Sequence, residues 1–284
     1  MWLLVLFAFF VSLSTRHGYL SEWQACGEAL FLLSHTLVLN NPKQKMTLLT
    51  ASQSFFGSMG PEFLLIIIIG IAGFVVQARL QSVFSKYAKV PFTGGMTGKD
   101  VAEKMLRDHG ITDVTVTHTP GQLTDHFNPA NKTVNLSDAV YASNSVAAAA
   151  VAAHECGHAV QHAIGYAPLR LRSALVPVTS FASRFAIFFI IGGILLAGAT
   201  QSLLLFWIGI GMIAVSALFS IVTLPVEYDA SRRALAWLEG QHILTSQQQN
   251  QAKEALMWAA RTYLVAALSA IATLLYYIGL ARRE

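Results

Sequence analysis

LLLFWIGIGMIAVSALFSIVTLPVEYDASRRALAWLEG, residues 203–240, decides the fold class. Its first part, 203–224, holds no Asp, Glu, Lys, Arg or His and matches the roughly 20 apolar residues that a helix needs to cross a bilayer. Pro225 stands where an N1 proline opens a new helix, and Gly240 where that helix stops. The new helix begins with an acid, Glu227, at the membrane boundary. A carboxylate there is costly to desolvate unless it is paired or bound to metal. The plainer reading of Glu227 is an N-terminal acid stabilised by the helix dipole.

Outward from this stretch lie three further apolar runs, at 62–78, 185–200 and 262–280. The two shorter runs are completed by flanks such as Met59, Pro61 and Phe181, with Arg79 and Arg184 snorkelling to the interface. The chain of 284 residues is 54% hydrophobic and only 12% charged, about half the charged share of a soluble domain. That excludes disorder. The surplus of 19 Lys+Arg over 15 Asp+Glu is what membrane flanks absorb and implies no nucleic acid partner. Only Gln201 and Ser202 join the second and third spans, so they form a hairpin that returns the chain to the side it left. Arg79, Lys86, Lys89, Arg170, Arg172, Arg184, Arg232 and Arg233 then share one face, which the positive-inside rule makes cytoplasmic. Arg282 and Arg283 run against that orientation. Residues 1–60 form an N-terminal extension of unknown role, whose apolar start lacks the charge and cleavage site of a signal peptide.

Residues 80–183, between the first two spans, have the composition of a soluble α+β domain. KDVAEKMLRDHG, 99–110, spaces Val101, Met105 and Leu106 along one helix face and ends at Gly110. DVTVTHT and NKTVNLS alternate as strands do, with turn residues Asn128, Pro129 and Asn131 between them. SNSVAAAAVAAHECGHAVQHAIG, 143–165, reads as an alanine-rich helix with Ser143 or Asn144 as N-cap and Gly165 as the stop.

That helix carries His154, Glu155 and His158 in the pattern His-Glu-x-x-His. Side chains four apart share a helix face, so both imidazoles can hold one metal ion, and the geometry suits zinc. Glu155 is held beside the ion, where it can act as the base for the attacking water. A catalytic zinc takes three protein ligands. His162 lies about 12 Å along the axis from His154, too far to share the ion, and is a residue supporting a ligand from behind, a substrate-side residue or a plain polar position. Glu227 is the better third ligand, because the hairpin returns it to the same side. Asp229 is placed to orient a ligand histidine or to pair with Arg232 or Arg233.

Three blocks, LTDHFNPANKTVNLSDAVY (123–141), SVAAAAVAAHECGHAVQHAIGYAPLRLRSALVPV (145–178) and LPVEYDASRRALAWLE (224–239), resemble the YugP-type neutral zinc metallopeptidases of bacterial membranes. The resemblance runs from about residue 62 to the C-terminus. It implies one Zn2+ held by His154, His158 and Glu227, with Glu155 as catalytic base. Ser231 departs from related peptidases, which often carry an aspartate four residues after the ligand glutamate. The fold expected is a mostly α membrane protein of about four transmembrane helices. Its zincin-like catalytic domain, 80–183, lies between the first helix, 61–79, and a hairpin, 184–224. A helical segment, 225–261, carries the third ligand and precedes the last span, 262–281.

The function expected is an integral-membrane zinc endopeptidase of the cell membrane, with its catalytic domain on the cytoplasmic side and a polypeptide substrate. Strand Thr133–Leu136 is the candidate to pair with that substrate. Asp125 and His126 fall in the turn before it, with His126 a possible neighbour of the site. Tyr228, His162 and Arg232 are the candidate transition-state donors. The alternative is a non-catalytic zinc-binding scaffold or adaptor. A transporter is disfavoured because the four apolar cores carry no ionisable residue between their ends. Cys156 reads as a small residue packed behind its helix, and Cys26 as unpaired with it.

Overall fold

The computed structural model describes residues 61–282 apart from Thr93 and Gln201, so the N-terminal extension lies outside the described residues. The chain runs through α1 (Pro61–Tyr87), α2 (Gly98–Asp108), β1 (Thr115–Thr119), β2 (His126–Asn128), β3 (Thr133–Ser137), α3 (Asp138–Tyr141), α4 (Val146–Ala163), α5 (Ala167–Thr200), α6 (Leu204–Gly240) and α7 (Ser246–Ala281). Four of these helices, α1, α5, α6 and α7, are long and apolar enough to cross a membrane. Large apolar side chains stand exposed along each of them, among them Ile68, Phe188, Trp207 and Leu275. Lipid is the solvent such faces require.

The long helices exceed what a bilayer needs. α6 has 37 residues, and at about 1.5 Å per residue it is roughly 55 Å long against a hydrocarbon core of about 30 Å. The excess lies at one end of the bundle. There, Val83 and Tyr87 of α1 pack with Ala147 of α4 and Ala255 of α7. The main core joins Val101, Met105, Val134, Leu136 and the alanines of α4 to Ala234, Trp237 and Leu238 of α6 and Ala252 and Leu256 of α7. The body at that end is therefore built from the 88–166 segment together with the projecting ends of α6 and α7.

Pro225 does not open a new helix. It lies inside the continuous α6, where an interior proline costs about 3 kcal/mol and one backbone hydrogen bond. Val226, Glu227 and Ala230 are buried immediately after it, and that packing outweighs the local preference. Likewise α1 runs past residue 79 to Tyr87, and α5 begins at Ala167, so Arg170, Arg172 and Arg184 ride on the second membrane helix.

The sheet order is β1-β3-β2, with β1 parallel and β2 antiparallel to β3. β3 is the middle strand, so its edges are taken and the expectation that it pairs with substrate is wrong. The free edge beside α4 belongs to β2. His126 starts this strand instead of sitting in a turn. Three residues against Pro129 are too few to show a period in sequence. α4 is capped by Ser145, whose hydroxyl accepts from Ala148 N, in place of Ser143 or Asn144. It ends as expected at Gly165, which has φ +64°. Tyr166 N donates to Gln161 O and Gly165 N to His162 O, the paired bonds of a Schellman stop.

Candidate metal centre

α4 and α6 cross with almost no side chain between them. A Cβ on Gly157 would lie 2.7 Å from Ala230 O, so only glycine between the two histidines permits this approach. It brings Glu227 Oε2 to 3.3 Å from His154 Nε2 and 3.5 Å from His158 Nε2. Four ligands about 2.1 Å from a tetrahedral zinc stand about 3.4 Å from one another. The three donor atoms all lie within 4.8 Å of each other. Two imidazoles and a carboxylate are a protein donor set that suits a catalytic zinc.

Each histidine is oriented from behind. His154 Nδ1 meets Ser231 Oγ at 3.1 Å, and Nδ1–H of His158 donates to Gln161 Oε1 at 3.0 Å. The Gln161 acceptor fixes the His158 tautomer that leaves Nε2 its lone pair, and the Ser231 hydroxyl, which can accept from His154 Nδ1–H, suits the same tautomer of His154. Gln161, fully buried, is itself held, because its Nε2 donates to Val226 O and Asp229 Oδ2. Asp229 in turn accepts from Arg232 and Arg233. Asp229 thus connects to His158 through Gln161 and also pairs with the arginines. Burial opposes charge on His158, but the Glu227 and Glu155 carboxylates outweigh it and hold its imidazole above the ordinary histidine range.

Glu155 is turned to the side of the ligand pair and is nearly buried. Its Oε2 accepts from Phe127 N of β2 at 3.0 Å. The β2 backbone therefore points one N–H away from β3 and into the site. On the far side, Arg172 of α5 reaches to 3.8 Å from Glu227 Oε1, the carboxylate oxygen turned away from the histidines. Tyr263 of α7 lies within electrostatic reach of Glu227, Glu155 and Arg172.

The other expected residues stay outside the cluster. His162 is exposed, its ring 5.7 Å from that of Phe127. His126 Nδ1 meets Thr124 O at 2.8 Å and its Nε2 meets Asn135 Nδ2 at 3.2 Å, which ties it to the sheet. Tyr228 is exposed and Arg232 is bound to Asp229. Asp125 ties β3 down by accepting from Ser137 N and Oγ, and burial lifts its carboxyl above the usual range. Cys156 is packed behind α4 with its thiol on Ala102 O, and burial pushes its pKa up.

Sequence reading missed Gln161, Arg172, Tyr263 and the Phe127 amide, and it took Ser231 only as the place where an aspartate is absent, leaving the support of a histidine to Asp229 or to nothing, whereas the Ser231 hydroxyl meets His154. Gln161 and Ser231 carry a helical signal, since Gln161 stands three residues after His158 and Ser231 four after Glu227. Arg172 and Tyr263 carry none, because their roles come from how α5 and α7 meet.

A membrane-spanning bundle that carries a His-Glu-x-x-His helix against a buried glutamate is the architecture of a zinc-peptidase class. The family model described as "Putative neutral zinc metallopeptidase" matches residues 62–282, and the chain belongs to that family. It is 38% identical over 216 residues to the "Putative membrane protease YugP" of Bacillus subtilis (strain 168), a match that covers 76% of this chain and 94% of that protein. No solved structure matches the chain. Zinc is the metal that membership implies, and the donor set fits it.

Proposed function

We propose that the protein is an integral-membrane zinc endopeptidase, with His154, His158 and Glu227 as the zinc ligands and Glu155 as the general base. The observation that carries this reading is the meeting of Glu227, from beyond the membrane hairpin, with both motif histidines at ligand spacing. Zinc, when bound, polarises the scissile carbonyl and acidifies the attacking water. Glu155 Oε1 takes the water's proton and returns it to the leaving nitrogen, while Phe127 N–H holds Oε2 still. Arg172, whose guanidinium reaches Glu227, and Tyr263, which interacts electrostatically with Glu227 and Glu155, are the candidates in this reading to donate to the substrate's developing oxyanion. The substrate lies extended along the free edge of β2.

The site sits at the end of the bundle that carries Lys86, Lys89, Arg170 and Arg172, and the positive-inside rule supports a cytoplasmic face of a cell-membrane protein for it. In these terms the catalytic body comprises residues 88–166 completed by the projecting ends of α6 and α7. The test is zinc content measured together with cleavage of an unfolded polypeptide. Wild type binds about one zinc and cleaves; Glu155→Gln keeps the metal and loses at least about 100-fold in rate. Undiminished turnover in that variant would refute the mechanism. Zinc binding without hydrolysis of any polypeptide would favour a scaffold instead.

A further inference from the structure

We propose that a cleft beside the metal centre is a subsite that binds a carboxylate of the polypeptide substrate. This rests on the peptidase reading above and names a substrate class for it. The cleft encloses about 280 Å³ and is lined by Pro129, Gln161, His162, Leu169, Arg170 and Ser173. Its walls are the elements that build the centre. Gln161 is the residue that holds His158. His162 stands one helical turn beyond His158 on the same face of α4, about 6 Å along the axis. Pro129 follows directly on β2, whose Phe127 N–H meets Glu155 and whose Phe127 ring lies against His162. A chain extended along β2 past Glu155 therefore runs into this cleft.

The chemistry of the lining selects the guest. Arg170 and His162 share the lining with Ser173, Gln161 and the apolar Pro129 and Leu169, and none of the lining residues is acidic. The Arg170 guanidinium presents a planar fork that matches a carboxylate bidentately, and Ser173 adds a hydroxyl donor. An aspartate or glutamate side chain, or the substrate's own C-terminal carboxylate, supplies the shared chemistry.

The experiment uses the full-length, zinc-loaded Glu155→Gln protein, which binds without turnover, and fluorescent peptides read by anisotropy. One peptide carries an internal Glu with an amidated C-terminus, a second replaces that Glu by Gln, and a third has Gln with a free C-terminus. A carboxylate subsite binds the first or the third about tenfold more tightly than the second, and which of the two it prefers identifies the source. Adding Arg170→Gln abolishes the preference while zinc content stays at wild-type level. Arg170→Glu reverses it in favour of a peptide with Lys at that position. Equal binding of all three peptides, or a preference that survives Arg170→Gln, overturns the subsite. If wild type cleaves no peptide while the Arg170-dependent preference persists, the peptidase reading falls and the carboxylate site stands.

Discussion

The two halves of α6 solve opposite problems on one continuous helix. The membrane half turns Leu204, Trp207, Ile208, Leu218 and Ile221 outward and meets α5 through glycines. A Cβ on Gly193 would lie 2.4 Å from Phe206 N, and one on Gly209 would lie 2.9 Å from Ile190. The site half also meets its partner through a glycine, Gly157, yet it buries Glu227, Asp229 and Ser231. Both halves use close backbone approach. Only the site half uses it to set donor atoms at fixed distances. In the membrane half the close approach serves packing alone; in the site half, a shift of about 1 Å would take the His154, His158 and Glu227 donor atoms out of the spacing that one ion needs.

The largest break comes at that crossing. Gly157→Val places side-chain carbons where Ala230 O stands, 2.7 Å from the Cβ position, so α4 and α6 must separate and Glu227 leaves the histidines. Zinc affinity falls by more than about 100-fold and activity is lost, although no ligand has been changed. The control is Gly211→Ala in the membrane half, where a Cβ meets nothing within 4 Å. It leaves zinc content and thermal midpoint as in wild type. Zinc titration and thermal unfolding in detergent check both variants, and a Gly157→Val protein of wild-type zinc affinity would show that the crossing does not set the site.

This contrast also explains how much was legible in the sequence. The meeting of His154 and His158 could be read because helical spacing is a local property, and the place of Glu227 beside them because an acid at a membrane boundary needs a reason. The four spans were legible because lipid demands apolar runs of a set length. What escaped was decided by tertiary packing. Pro225 carries a strong local signal for a helix start, and the burial of Val226 and Ala230 overrode it. Strand β2 is too short to announce itself. The core of the body borrows Trp237 and Leu256 from the third and fourth membrane helices, which no boundary drawn along the chain captures.

A smaller effect tests the support behind His158. Gln161→Leu keeps the volume but removes the acceptor for His158 Nδ1–H and the donor to Asp229, leaving both buried polar groups short of a partner. Zinc affinity falls by about 10- to 100-fold, with Glu155 and the β2 edge intact. Isothermal titration with zinc measures it. Acidity probes the same ligand. Protons compete with zinc for the neutral imidazole, and the carboxylates around His158 raise its pKa. As pH falls through that raised value, affinity drops by about tenfold per unit. The decline therefore begins at a higher pH than an ordinary histidine, titrating near 6.5, would give. A decline that starts only below that value would show that Glu227 does not hold the proton on His158 in the metal-free protein.

The smallest effect belongs to His154, whose support is the single Ser231 hydroxyl at 3.1 Å. Ser231→Ala removes that acceptor, but His154 is less buried than His158, with side-chain exposures of 13% and 9%, and water can replace part of the bond. Zinc affinity should fall only several-fold, less than for Gln161→Leu. Ser231→Asp sharpens the point. It restores the carboxylate that related peptidases place four residues after the ligand glutamate, and a carboxylate accepting from Nδ1–H makes Nε2 a stronger ligand. It also puts a second negative charge one helical turn from Glu227 on the same face, at a position 8% exposed. With zinc bound, that charge is compensated and affinity rises above wild type. In the metal-free protein it is not, so the thermal midpoint of the apo form drops. Opposite signs in zinc titration and apo melting would establish that Ser231 orients His154 in a centre built around a cation, whereas equal losses in both would reduce it to a packing residue.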